Sequence, residues 1–355
     1  MKFVFQDVAL QGLLVVVPEH ESRFEDEMEN YDFPIKNSQK LQRVMGFDRH
    51  RVVKSDTCAS DLAYHGLQTL IQRGQLRPEE IDGLVFVSET PDYFMPPTSN
   101  VLQGKLQLDE DTWCIDINQG CAGFVVGLMQ CFMMLQQEGV EQVVLINADT
   151  LTRTCSPQDR NAYPLMGDAA SIALVTRADR GPVHAHLKMD GTQHQAIMIP
   201  AGGFRLPKTA DTAKPVKTDD NNVRSLDDYH MDGIAVFNFA QTRIPPLIDE
   251  LLASAGTTKE AVDWYMFHQP NRFMLEKLAD QMGVPRDKMP NQVVERYGNN
   301  SSATVPTAMV DTLASRLTTE PFTMCLCGFG VGLTWAAMLL EVGPLAFCEM
   351  IDFVE

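Results

Sequence analysis

The chain has 355 residues, 45% hydrophobic and 21% charged, with a formal net charge of −18. That length and composition fit one large α/β domain or two halves sharing a core, and the acidic excess argues against nucleic acid or an anionic membrane surface as a partner. No apolar run reaches membrane-spanning length and the start lacks the apolar core of a signal peptide; eight scattered cysteines without a CxxC pair suggest a reducing cytoplasm and no zinc knuckle.

Leu10 to Val17 reads as a strand, followed by an acidic stretch from Glu19 to Glu29. Gly46 to Lys54 is a short basic segment, read as a loop whose arginines could hold phosphate. Cys58 to Gln75 sets Leu62, Leu67, Leu70 and Ile71 on one helical face. Ile81 to Ser88 is a buried strand, Glu89 to Pro97 a loop stiffened by prolines, and Val101 to Leu106 a helix. Trp113 to Ile117 is a strand; Gly120 and Gly123 then bracket Cys121, and an amphipathic helix runs from Ala122 through about Gln137. Gln142 to Asn147 is a strand and Asp149 to Tyr163 a polar loop. Gly167 turns into a strand ending at Val175. From 181 to 230 the pattern loosens into what reads as a long surface insertion. Asp232 to Ala255 is a long helix, Val262 to Phe267 a strand, and Arg272 to Met282 a helix. Gly298 to Pro306 is a loop and Ala308 to Leu317 a helix. Phe322 to Cys327 and, after a glycine-rich turn, Leu333 to Leu340 are the last strands.

A helix, an acidic turn and a buried strand occur twice, once around Glu80 to Val87 and again around Glu260 to Phe267. Repetition at that spacing predicts two similar α/β halves, 1–180 and 181–355. In such sheets function gathers at the carboxyl ends of strands, and Cys121, His268 and Asn299 each follow a predicted strand or lie in an adjoining loop. The turn at Cys121 would present the sulfur at a helix start, where the dipole and free N–H groups favour a thiolate. Singly, a buried structural cysteine, a core histidine and a turn asparagine are equally ordinary readings. Together they suit acyl transfer: a thiol accepts the acyl group, an imidazole moves or donates a proton, and a carboxamide stabilises an enolate. The same three residue types also serve thiol proteases, so residue types alone do not choose.

Gly120-Cys-Ala-Gly123, Arg153 to Arg160 with Gly167-Asp168, His268-Gln-Pro-Asn271, Gly298-Asn-Asn-Ser-Ser-Ala303 and Gly328-Phe-Gly-Val-Gly-Leu-Thr-Trp335 stand in an order that resembles β-ketoacyl-acyl carrier protein synthase III, of the thiolase superfamily. The resemblance implies a five-layer αβαβα sandwich of two pseudo-duplicated halves, assembled as a homodimer. It implies a cytoplasmic enzyme without metal or organic cofactor, using acyl-CoA and malonyl-acyl carrier protein. Cys121 would be acylated, and His268 and Asn299 would then bind the thioester carbonyl of the malonyl group during decarboxylative condensation. The backbone N–H groups of Cys121 and Val331 would form the oxyanion hole. Arg160, Gly233, Phe237, Asn271 and Phe329 would contact CoA or its pantetheine arm, and Met95 would reach an acyl pocket.

Several positions depart from the family pattern. Val331 replaces a glycine. Phe273 stands where relatives carry a carrier-docking arginine, with Arg272 one place earlier. The tryptophan and arginine that hold the CoA adenine have no match near Lys40 to Val44. An acidic chain needs a local basic patch for an acidic carrier, for which Arg49, His50, Arg51, Arg205 and Arg272 are candidates. Glu89 falls near the position of the catalytic glutamate of hydroxymethylglutaryl-CoA synthase, where it could act as base; a solvated or capping glutamate is the plainer reading. The alternatives are thus a non-decarboxylating condensing enzyme or acyltransferase using Glu89, or a non-catalytic partner subunit.

Overall fold

Two mixed sheets carry the chain in the computed structural model, which describes residues 1–354. In chain order the principal elements are β1 (Lys2–Phe5), β2 (Val8–Pro18), α1 (Ile35–Met45), α2 (Ala59–Gln72), β3 (Gly83–Val87), α3 (Thr98–Leu106), β4 (Trp113–Ile117), α4 (Gly123–Leu135), β5 (Gln142–Thr150), β6 (Asp168–Arg177) and β7 (Val183–Met189). They continue with α5 (Gly233–Ser254), β8 (Trp264–Phe267), α6 (Arg272–Met282), α7 (Thr304–Leu317), β9 (Phe322–Gly330), β10 (Thr334–Val342) and β11 (Cys348–Phe353). One sheet runs β11-β2-β6-β5-β3-β4 and the other β1-β7-β10-β9-β8.

Helices fill the spaces above, between and below these sheets. α2 and α3 pack on the outer face of the six-stranded sheet, and α5, with α6 against it, on the outer face of the five-stranded one. α4 and α7 each touch both sheets and form the middle layer. The sequence of α4 explains its place: Phe124, Val125, Met129, Cys131, Phe132 and Met134 spread over more than half of the helix circumference and are all buried. A helix apolar over so much of its surface has little face to offer water, and each of the larger side chains contributes about 1.5–3 kcal/mol by burial. The result is the expected five-layer αβαβα sandwich.

Several segments depart from the sequence expectations: Arg49–Arg51, in the segment read as a loop, is a short strand paired with Glu21–Arg23, and three larger departures bear on the topology. Val183–Met189 lies in the region read as a surface insertion, yet it is an inner strand, paired with β1 on one side and β10 on the other. His184, His186 and Lys188 interrupt its apolar run; His186 is nevertheless buried and hydrogen-bonds Ser254 Oγ at 3.0 Å. Leu333–Leu340 is not the last strand, because β11 follows and pairs parallel with β2. The chain termini therefore cross over: β1 joins the sheet of the later strands and β11 that of the earlier ones. The helix α1 falls where no element was expected. Among the described residues no helix is long and apolar enough to cross a membrane.

This architecture brings several carboxyl ends of strands to one region. β4 leads to Cys121, β8 to His268 and β9 to the turn at Val331.

Candidate active site

Cys121 lies between the end of β4 and the N-terminus of α4, whose N-cap is Ala122. The surrounding turns approach closely enough to exclude side chains. A Cβ on Gly120 would fall 2.2 Å from Glu89 Oε2, and one on Gly330 would fall 2.6 Å from Cys121 Sγ. Glycine at both positions lets backbone pack where any other residue would displace the reactive groups. Val331 sits between Gly330 (φ 156°) and Gly332 (φ 129°), and does not itself have a positive φ. Its side chain in place of a glycine thus costs no left-handed strain, and its N–H hydrogen-bonds the cysteine sulfur.

The electrostatics reverse the expectation of a favoured thiolate. Burial pushes the Cys121 thiol up to about 12, and the nearby Glu89 carboxylate pushes in the same direction. The N–H groups of Val331 and Cys121 and the Ser301 hydroxyl pull it down, without overcoming the other two. The helix start is real, but desolvation and a like charge outweigh it.

His268 is buried, with Nδ1 2.7 Å from Thr304 Oγ1 and its ring edge-to-face on Phe329 at 5.5 Å between centroids. Burial lowers its pKa to about 3, with the Ser301 carbonyl opposing the shift. The imidazole is therefore neutral at physiological pH. Asn299 is locked by backbone: its N–H donates to Leu165 O at 2.7 Å and its carbonyl accepts from Gly167 N at 3.1 Å. Its side-chain Oδ1 accepts from Ser301 N at 3.0 Å, which leaves the amide N–H₂ as its remaining donor.

Glu89 is half-buried and caps no helix. Ser301 Oγ donates to its Oε2 at 2.8 Å, and its own N–H donates to Asp149 Oδ1 at 2.7 Å. Asp149, fully buried, also accepts from Ser88 Oγ (3.1 Å), Thr90 Oγ1 (3.2 Å) and Ser302 Oγ (3.1 Å). Neither carboxylate has an ion-pair partner among the described residues. Burial raises both pKa values, Asp149 to about 8 with the Glu89 charge as second cause, while the Ser301 hydrogen bond opposes the rise at Glu89. Ser301, Thr304 and Asp149 were not singled out from sequence. The Ser301-Ser302 pair in the Gly-Asn-Asn motif was the available signal, since hydroxyls beside a candidate site supply both donors and acceptors.

Cys121, His268 and Asn299 line one cavity of about 370 Å³, together with Gly233, Phe237, Asn271 and Phe329. Asn271 also caps α6, accepting from Met274 N at 2.9 Å. A second cavity of about 690 Å³ shares Met45, Asn161, Met231, Gly233 and Ile234 with the first, so the two adjoin, and we refer to them together as the passage. Arg160 lines neither; its guanidinium lies 3.3 Å from the centre of the Phe33 ring, and desolvation lowers its pKa. Met95 is 77% exposed and borders a separate cavity of about 800 Å³ with Glu89, Thr90 and Arg153. The surface patch proposed from sequence does not form as drawn. His50 is buried, bound through Nδ1 to Met166 O and through Nε2 to Glu27 at 2.6 Å. Arg49 and Arg51 pair with Glu21, and Arg51 also with Asp352. Arg272 lies 3.5 Å from Glu295, and Arg205 is exposed.

The backbone crossing that holds Asn299 yields a prediction. A Cβ on Gly167 would fall 1.9 Å from Tyr297 O, a backbone atom that cannot swing aside. Gly167→Ala is expected to destabilise the protein by about 2–3 kcal/mol in denaturant unfolding, because overpacking against backbone has no rotamer escape. Wild-type stability in that variant would show that the crossing is loose.

The family profile described as 3-oxoacyl-(acyl-carrier-protein) synthase III matches residues 115–191, and that of the same synthase's C terminal matches 252–342. A Campylobacter jejuni protein provisionally named 3-oxoacyl-(acyl-carrier-protein) synthase 3 is 30% identical over 346 residues, covering 97% of each chain. A β-ketoacyl-(acyl-carrier-protein) synthase III of Fusobacterium nucleatum is 28% identical, covering 95% of this chain and 99% of its own. Among solved structures, a 3-oxoacyl-(acyl-carrier protein) synthase from Burkholderia xenovorans LB400 superposes with a TM-score of 0.91 at 30% identity, covering 99% of both chains.

Proposed function

The chain belongs to the 3-oxoacyl-(acyl-carrier-protein) synthase III family of condensing acyltransferases, and from that premise we propose how its site works. Cys121 attacks an acyl-CoA; the S–acyl bond forms as the CoA thiolate leaves and takes up a proton. Malonyl carrier protein then occupies the same passage. Its carboxylate departs as CO₂, and the electron pair of the broken C–C bond forms an enolate whose oxygen is held by His268 and the Asn299 amide. The enolate carbon attacks the acyl carbonyl, the N–H groups of Cys121 and Val331 stabilise the tetrahedral oxyanion, and its collapse releases the Cys121 thiolate. The observation that carries this reading is the shared cavity of the thiol, the imidazole and the carboxamide.

The neutral state of His268 suits hydrogen-bond donation. Thr304 Oγ1 gives its one proton to the Ser301 carbonyl at 2.9 Å and so accepts from Nδ1–H; donation from Nε2–H to the enolate requires that proton to turn to Nδ1, and we assign that tautomer to the condensation step. The reading carries with it a homodimer in the cytoplasm, acyl-CoA and malonyl carrier protein as substrates, and no metal or organic cofactor. Stoichiometric release of labelled CO₂ with each condensation tests it. Product formed without CO₂ would favour the second reading.

That second reading rests on Glu89, whose carboxylate shares the Ser301 hydroxyl with Cys121. As a base, it would take a proton from the α-carbon of an acceptor that has no carboxylate to lose. Glu89→Gln separates the two. The carboxylate raises the thiol pKa, so removing its charge lowers that pKa and increases the thiolate fraction at any pH below it. Under the decarboxylating reading, iodoacetamide labels Cys121 faster at pH 9 in the variant than in wild type, and CO₂ release persists. Loss of condensation in the variant, with labelling intact, would establish Glu89 as the base.

A further inference from the structure

The acidic chain must meet its carrier-bound substrate somewhere, and the patch drawn from sequence is largely buried or neutralised. The helix α1 offers a different surface. Lys36, Lys40 and Arg43 are all exposed, and spacings of four and three residues set them in one stripe along the helix. None of the three has an ion-pair partner among the described residues. The neighbouring edge of the same helix enters the passage to Cys121: Leu41 and Met45 line its outer part, and Val44 and Met45 its inner part.

α1 packs against α6 at this entrance. Arg272 lies against Gly46, the C-cap of α1, so that a Cβ there would come within 3.0 Å of its Nε. Lys277 sits 5.8 Å over the Phe273 ring, and Phe273 stacks on Phe237. Val44, Ile234 and Phe273 are exposed apolar residues around the opening. Asp220 and Asp232 border the outer passage as well, from chain segments other than α1, Asp232 capping α5 and Asp220 accepting from Thr218 and Asn161, and both keep their negative charge. The entrance presents apolar side chains with the α1 cations along one edge.

We propose that the Lys36–Lys40–Arg43 stripe of α1 is the docking surface for the acidic carrier protein whose pantetheine arm enters the passage to Cys121. This rests on the condensing function proposed above. The physical argument is charge complementarity under constraint. With a net charge of −18, most of the surface repels an acidic protein, and encounter is productive only where local potential is positive and the arm can reach the opening. Charges at an interface rim act on encounter, and their effect is screened over about 10 Å at 0.1 M salt. The stripe would also steer the complex so that the arm starts beside Val44 and Met45.

The test is the variant Lys36→Glu/Lys40→Glu/Arg43→Glu in the full chain. It is expected to raise KM for malonyl carrier protein about tenfold or more at low salt with kcat unchanged, and to flatten the salt dependence seen in wild type. Condensation with malonyl-pantetheine, which has no carrier, should stay at the wild-type rate. An unchanged KM for the carrier would overturn the proposal. So would a loss confined to acyl-CoA-dependent acylation, which would assign the stripe to the CoA phosphates. Wild-type protein that fails to condense either malonyl substrate would instead sink the proposed function, independently of this surface.

Discussion

Cys121→Ala is expected to lose self-acylation by at least about 10⁴-fold, since no other group at the site can hold the acyl thioester and removal of a covalent nucleophile leaves only binding. The fold should survive. The sulfur contributes little packing, and its neighbours are the close turns at Gly120 and Gly330, which lose only a contact. Unfolding within about 1 kcal/mol of wild type is therefore expected alongside complete loss of transfer. A structural cysteine would behave oppositely, with reduced stability and retained transfer. Intact-protein mass after incubation with an acyl-CoA reads the first quantity, and denaturant unfolding reads the second.

Asn299→Ala is expected to separate the two half-reactions. Acylation of Cys121 should stay within about threefold of wild type, whereas condensation should fall about 10²–10³-fold, the usual loss when one donor to a developing oxyanion is removed. The alanine also strips the acceptor from Ser301 N–H, which costs about 1–3 kcal/mol when left buried and unpaired. Asn299→Asp controls for this. It keeps an oxygen for Ser301 N–H and replaces the amide donor with an acceptor, so condensation should fall at least as far. Equal loss of both half-reactions in both variants would remove Asn299 from the enolate step.

Much of the site was legible because it is written in short motifs at chain turns. The helix Arg272–Met282 was read to the residue, because Asn271 caps its start and Gly283, with φ 68°, ends it. α1 went unread for the converse reason: its N-cap is Pro34 with no side-chain cap, and its sequence is mostly polar. β7 was hidden by its two histidines, of which tertiary structure buries His186. The environment of Glu89 was the least legible feature. Its decisive partner, Ser301, is 212 residues away, and only the packing of α4 and α7 between the two sheets brings the pair together. The Cys121 protonation state was misread from local rules alone, because the helix start is a local feature whereas burial and the Glu89 charge are tertiary ones.

The claim under all of this is that acyl groups pass through the Cys121 sulfur. Wild-type protein incubated with an acyl-CoA, digested at low pH and mapped by tandem mass spectrometry should carry the acyl mass on the peptide containing Cys121, and lose it on addition of malonyl carrier protein. An acyl mass on any of the other seven cysteines, or condensation product formed while Cys121 remains unmodified throughout turnover, would contradict the account.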